Sequence, residues 1–118
     1  LWIDIPEFAA YRHAREFREF CAALKPLGCR IGLEHVGNQI GHMGELYDVG
    51  MYYLKIDSAI IRDIDHNPGN QTFLRGLCTI AQTMGMMSIA EGVVNSQEAG
   101  CLVALGFRGM TGPGVVLE

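Results

Sequence analysis

Residues 53–91 open with Tyr53-Leu54-Lys55-Ile56-Asp57 and close with Met87-Ser88-Ile89-Ala90-Glu91. Each is a short, mostly apolar run ending on an acid, and such runs, bounded by turn signals, read as strands. Between them, Asn67-Pro68 has the form of an N-cap followed by proline at the first helical position, where a missing N–H costs nothing. Phe73, Leu77, Ile80, Ala81 and Met84 then recur at the steps of one helix face, and Gly85 ends the helix. Strand, helix and strand in this order make a unit whose two strands run parallel.

The alternation continues in both directions. Trp2-Ile3-Asp4-Ile5 reads as a strand closed by Pro6. Ala10, Ala14, Phe17, Cys21 and Leu24 predict one helix beginning at Ala10 and stopped by Lys25-Pro26 and Gly28. Arg30 to Glu34 is the next strand, followed by a loop carrying Gly37, Gly41 and Gly44 and a short helix near Met43 to Asp48. Downstream, Asn95 and Glu98 have capping-box spacing ahead of Leu102 and Leu105, with Ser96 as a competing cap. Gly106 ends that helix, and Phe107 to Met110 is a fifth strand. About five near-continuously apolar strands alternating with four helices predict an α/β fold, a parallel sheet covered by helices.

Composition narrows the function. Nine Lys and Arg against 13 Asp and Glu give a net charge of −4 without any basic run, so there is no electrostatic footprint for nucleic acid. An apolar fraction of 49% in 118 residues excludes disorder and allows one modest core. No apolar stretch approaches the roughly 20 residues of a membrane span, so no membrane contact by this segment is expected. Cys21, Cys29, Cys78 and Cys101 are scattered without a C-x-x-C pair, which points to reduced thiols in a cytoplasmic setting. The chain opens abruptly at Leu1-Trp2-Ile3, inside a strand, and reads as a fragment.

Residues with chemical potential gather at the carboxyl ends of successive strands: Asp4 and Glu7, Glu34 and His35, Lys55 and Asp57, Glu91, and Thr111. In parallel α/β folds ligands bind at that rim. Lys55 and Asp57, two apart, are expected on one face, whereas Glu34 and His35 point to opposite faces unless a bulge intervenes. Acids, a lysine and a histidine converging there suit a divalent metal or a phosphate ester. Each also has a plainer explanation. A strand-end acid often only caps the next helix, and the three loop glycines are explained equally well by flexibility. His13 and His66 read as surface residues, His35 and His42 lack metal spacing, and Met84, Met86 and Met87 read as core. Lys55, flanked by Leu54 and Ile56, is hard to explain structurally unless it is paired with an acid.

Three segments together resemble the EAL domain family. Tyr53 to Asp57, followed by Ile61-Arg62-Asp63-Ile64, is similar to the family's "YLKID…RDI" segment, and Ala90-Glu91-Gly92-Val93 to its "AEGVE". Arg30 to Gly37 stands where the family has "RIALDDFG". The resemblance implies a TIM-like (β/α) barrel that hydrolyses cyclic di-GMP or, when degenerate, binds it as a receptor. A full barrel needs roughly 250 residues, so residues 1–118 are expected to be the carboxyl-terminal part of a single EAL-like domain, a partial barrel without the Glu-Ala-Leu signature.

Residue by residue, the resemblance assigns Lys55 and Glu91 to catalytic positions and Lys55, Asp57, Asp4 and Glu91 to nucleotide contacts. Asp4, Glu34 and His35 stand at metal positions, but altered. Asp4 replaces a glutamate, Glu34-His35 replaces an Asp pair, Val94 the second Glu of "AEGVE", and Thr111 a glutamine. A longer carboxylate and an imidazole disfavour a pair of hard cations. The implied function is a degenerate nucleotide-binding module similar to LapD-type cyclic di-GMP receptors, which needs no cofactor. Its expected partners are cyclic di-GMP and an upstream GGDEF-like domain in a parent protein anchored in the inner membrane. The open strand edges of a partial barrel, at Trp2 to Ile5 and near Phe107 to Met110, separately predict a homodimer. The alternatives are an active phosphodiesterase requiring Mg²⁺ or Mn²⁺, and a scaffold that binds no nucleotide. Set apart from the resemblance, Lys55 also suits a Schiff-base enzyme.

Overall fold

Five parallel strands lie side by side in chain order: β1 (Trp2–Pro6), β2 (Arg30–Val36), β3 (Tyr53–Ile56), β4 (Met87–Ala90) and β5 (Gly109–Met110). The structure, a computed structural model, describes residues 1–37, 40–46 and 48–114. The connections carry α1 (Glu7–Arg12), α2 (Ala14–Leu24), α3 (Ser58–Ile61), α4 (Pro68–Thr83) and α5 (Ser96–Leu105). Short 3-10 turns lie at Lys25–Leu27, Ile40–Leu46 and Ile64–His66. This is the expected alternation, with β1 and β5 as the outer strands of an open sheet.

The two faces of the sheet differ in chemistry. Ile31, Leu33, Leu54, Ile56 and Ala90 point to one side and join Ala10, Phe17, Leu74, Leu77, Ala81 and Leu102 from the helices in one core. The alternate positions form the other side: Trp2 and Asp4, Arg30, Gly32 and Glu34, Tyr53 and Lys55, Met87 and Ile89. Tyr53 and Ile89 are buried yet lie outside that core. The expectation of near-continuously apolar strands is therefore corrected. One face is apolar under the helices, and the other mixes aromatic and charged residues with Met87 and Ile89.

The helices also differ in detail from their sequence reading. The expected first helix is two, broken at His13 (φ −122°, ψ 49°). Ala10 and Phe17, either side of the break, are both buried, so the apolar stripe is right although the axis is not continuous. On α4 the buried stripe is Leu74, Leu77, Cys78 and Ala81, whereas Ile80 is 44% exposed and Phe73 and Met84 only flank the core. Those three lie about 100° round the helix from the stripe's centre, so spacing alone picked its margin. The Asn67 side chain caps α4 by accepting from the Asn70 N–H at 3.0 Å, as its sequence indicates. The short helix expected near Met43 to Asp48 is the 3-10 turn Ile40–Leu46; Tyr47 lies outside the described residues. The fifth strand is shorter than expected because the Phe107 N–H still bonds to Leu102 at the end of α5.

The corrected α4 face is directly measurable. Leu74→Ala is expected to lower unfolding free energy in urea by about 2–5 kcal/mol, the usual cost of emptying a fully buried leucine site. Ile80→Ala is expected to change it by about 0.5 kcal/mol or less; equal losses would restore the original face.

Candidate functional site

Asp4, Gly32 and Tyr53 occupy one row across three strands, since Asp4 pairs with Gly32 and Gly32 with Tyr53. A Cβ at residue 32 would collide with the Tyr53 ring, so glycine lets that ring lie across β2. The ring stacks on Trp2 at 5.1 Å between centroids, and its hydroxyl donates to Asp4 Oδ1. Lys55, two residues further along β3, donates to Asp4 Oδ2 at 2.7 Å. Burial alone would raise the Asp4 carboxyl pKa. The hydrogen bonds from Lys55 and Tyr53, with the lysine's charge, outweigh burial and hold it below the ordinary value. Burial first, then Asp4 and the charge of Glu34, push the Tyr53 phenol up. The acid partner expected for Lys55 is thus Asp4.

A bulge intervenes at Glu34-His35, so the simple alternation of faces expected there is broken. Leu33 pairs with Leu54 but Val36 with Ile56, so β2 carries one extra residue, and His35 takes a left-handed φ of 54°. That turn brings His35 Nδ1 to 3.4 Å from Asp57 Oδ1. Asp57 stands at the N-cap of α3 but makes no side-chain cap bond, so helix capping does not explain it. Buried Glu7 accepts from the Gly37 N–H at 3.2 Å and ties the start of α1 to the loop after β2.

Glu91 follows β4, its N–H donating to Ile56 at 3.2 Å. Its Oε1 is buried without a hydrogen-bond partner among the described residues. Thr111 is exposed and contributes through its backbone, where its carbonyl accepts from Val93 at 2.9 Å. Lys55, Asp4, His35, Asp57 and Glu91 all stand at or near the carboxyl ends of β1–β4, in two bonded groups plus Glu91. His13 and His66 are exposed, and the His42 ring packs at 5.7 Å against Tyr11. Of the methionines read as core, Met86 is buried but Met87 is exposed on the open face. The four cysteines are free.

Sequence reading missed the roles of Tyr53, Gly32 and Glu98. Tyr53 read only as a strand former, and its signal, a glycine opposite a large aromatic, needs the register. Glu98 read as a capping-box residue, but its place four residues before Leu102 on the apolar stripe of α5 signals burial, and it is fully buried.

A parallel α/β sheet whose carboxyl-end rim gathers acids, a lysine and a histidine places its polar residues where (β/α) barrels carry their sites. The EAL domain family model matches residues 1–115, and the chain belongs to that family. Its sequence is 27% identical over 112 residues to the cyclic di-GMP phosphodiesterase PdeF of Escherichia coli, covering 95% of this chain and 15% of that protein. The fold superimposes with a TM-score of 0.84 on the Xanthomonas citri FimX EAL domain in complex with c-diGMP, at 29% identity, covering 91% of this chain and 42% of that one. The Pseudomonas aeruginosa FimX EAL domain bound to c-di-GMP gives 0.87 at 21% identity, with 95% and 46% covered. The chain spans less than half the length of each of these proteins.

The family's phosphodiesterase chemistry implies a divalent metal, and the donors this chain offers at the rim are largely engaged with one another. Both Asp4 oxygens are engaged, by Tyr53 and by a lysine ammonium, and an Asp57 oxygen faces His35. Among the described residues no three of His, Cys, Asp and Glu converge as metal ligands.

The Asp4 bonds carry a pH signature. A carboxyl held below its ordinary 3.8 stabilises the fold fully above that value, and the contribution is lost as pH falls through the lowered one. The stability gap between the wild type and Asp4→Asn is therefore expected to stay constant from about pH 7 to 5 and to shrink below about pH 4. Thermal melts across that range check it, and a gap that persists to the most acid pH would exclude an ionised Asp4 as the source.

Proposed function

We propose that the domain containing this chain is a degenerate EAL domain that binds cyclic di-GMP without hydrolysing it, as a receptor module similar to LapD-type proteins. The observation that carries this reading is the commitment of Asp4 to Lys55 and Tyr53, with His35 where the family's motif has its second Asp. His35 stands where a metal-binding carboxylate would be needed, and the Lys55 ammonium occupies one oxygen of Asp4. A lysine bound to one carboxylate keeps further N–H donors for a phosphate oxygen. The FimX domain at 29% identity, in complex with c-diGMP, supports the ligand class. In this reading residues 1–118 are the carboxyl-terminal part of a single EAL domain. That domain is cytoplasmic and follows a GGDEF-like domain in a protein held at the inner membrane. No described helix is itself long and apolar enough to cross one.

Calorimetry on the full-length protein tests this. Binding of cyclic di-GMP is expected in metal-free buffer, with no linear pGpG formed on adding Mg²⁺ or Mn²⁺. Lys55→Ala is expected to weaken binding by roughly tenfold or more, the scale of a lost charged hydrogen bond, with the fold retained by circular dichroism. A second reading, the metal-dependent phosphodiesterase, is favoured by the buried Glu91 Oε1, which has no hydrogen-bond partner among the described residues. Metal-dependent turnover at about 1 per second or faster would establish it. Absence of binding would leave the scaffold reading.

We also propose that the chain pairs with a second copy. Among the described residues both outer strands present unpaired edges, and Leu1, Trp2 and Phe8 at the β1 side are 84%, 49% and 60% exposed. Light scattering of the 118-residue chain is expected to give twice its 13.0 kDa, and a monodisperse monomer would exclude the dimer.

A further inference from the structure

We propose that Glu98 is a positioning residue that clamps the loops after β3 and β4 together and so sets the spacing of Asp57 and Glu91 at the ligand site; this rests on the receptor reading above. Glu98 is 0% exposed and lies in the first turn of α5, yet its carboxylate does not close a capping box. The Asn95 side chain caps the helix by accepting from the Glu98 N–H at 2.8 Å. The Glu98 carboxylate is thereby free to reach outward. Oε1 accepts from the Val94 N–H at 3.0 Å, three residues after Glu91. Oε2 accepts from the Asp63 N–H at 2.8 Å, six residues after Asp57.

Arg62 completes the clamp. Its guanidinium lies 3.6 Å from Glu98 Oε1 and also donates to the Gly92 carbonyl at 3.2 Å. A buried carboxylate is costly unless paired and hydrogen-bonded, and this one has a cation and two backbone donors. Asp63 adopts a left-handed φ of 55°, a conformation uncommon outside glycine, which presents its N–H to Glu98. Gly92 sits so close to Ser58, the residue after Asp57, that an added Cβ would strike the serine Cβ.

The segment from Gly92 to Asn95 is held on its other side as well. Val93 donates to Thr111 at 2.9 Å and accepts from Gly114 at 2.7 Å. Gly112 and Gly114 approach Val93 and Asn95 too closely for any side chain. Three rim loops are thus laminated, and Glu98 and Arg62 are the side chains that join the first to the second. A plain stability role would predict the same fall in melting temperature for any loss in α5, with affinity following it. The clamp predicts that affinity responds to Glu98 specifically.

The test compares Glu98→Gln with Leu102→Ala in the full-length protein. Glutamine keeps the shape but turns one acceptor into an N–H₂ group, so either Asp63 or Val94 loses its acceptor. Leu102→Ala empties a fully buried site on the same helix and destabilises without touching the clamp. Calorimetry with cyclic di-GMP well below both melting temperatures is expected to show about tenfold weaker binding for Glu98→Gln, and a change within twofold for Leu102→Ala. Amide hydrogen exchange is expected to accelerate over residues 57–63 and 92–95 in Glu98→Gln, with β1 and β2 unchanged. Parallel losses of affinity in both variants, or wild-type exchange in both loops of Glu98→Gln, would overturn the proposal. A wild-type protein that binds no cyclic di-GMP would overturn the receptor reading instead, and the clamp then stands or falls on the exchange rates alone.

Discussion

Because Gly32 stands directly between Asp4 and Tyr53 in the sheet register, the tyrosine ring can cross β2, stack on Trp2 and bond to Asp4 on the far strand. Any larger residue at position 32 would displace that ring. Asp4 would lose its hydroxyl partner and Lys55 would lose a carboxylate already turned toward it. The rim chemistry of β1 and β3 thus depends on one absent side chain. The same absence explains how a charged group is accommodated on the inner face of the sheet. The lysine, the acid and the phenol satisfy one another, and the stacked aromatics limit access of water to them.

The division of the sheet into an apolar helix-covered face and a charged open face separates stability from function. Residues such as Leu33, Leu54 and Ile56 are fully buried against α1, α2, α4 and α5 and carry the core. The opposite face contributes little to that core and is available for polar chemistry. The loops after β3, β4 and β5 are held by backbone bonds, by one buried carboxylate and by Ile61, Ile64 and Val93 in the apolar core.

Local chemistry was legible wherever it acts over a few residues. The Asn67-Pro68 start of α4, the Asn95 cap of α5, the left-handed Gly106 stop and the bounds of β4 follow from neighbouring side chains and backbone preferences. Lys55 was legible as paired because its apolar neighbours make a solitary lysine costly there. Its partner was not, since Asp4 lies two strands away and is reached only over a glycine. The His13 break and the rotation of the α4 face were likewise not legible, because spacing marks which residues are apolar but not which side the sheet will press against.

The sequence by itself determined the alternation of strands and helices, the parallel order that this alternation requires, the family, and the rim positions where polar residues collect. These follow from hydrophobic periodicity, capping and motif spacing, all short-range properties of the chain. The tertiary structure alone decided which of those polar residues meet. Strand register set Asp4 beside Lys55 and Tyr53, a one-residue bulge turned His35 onto Asp57, and the packing of α5 buried Glu98 between two loops. Contacts between residues 22 to 51 positions apart depend on how the strands align, and no local preference encodes that alignment.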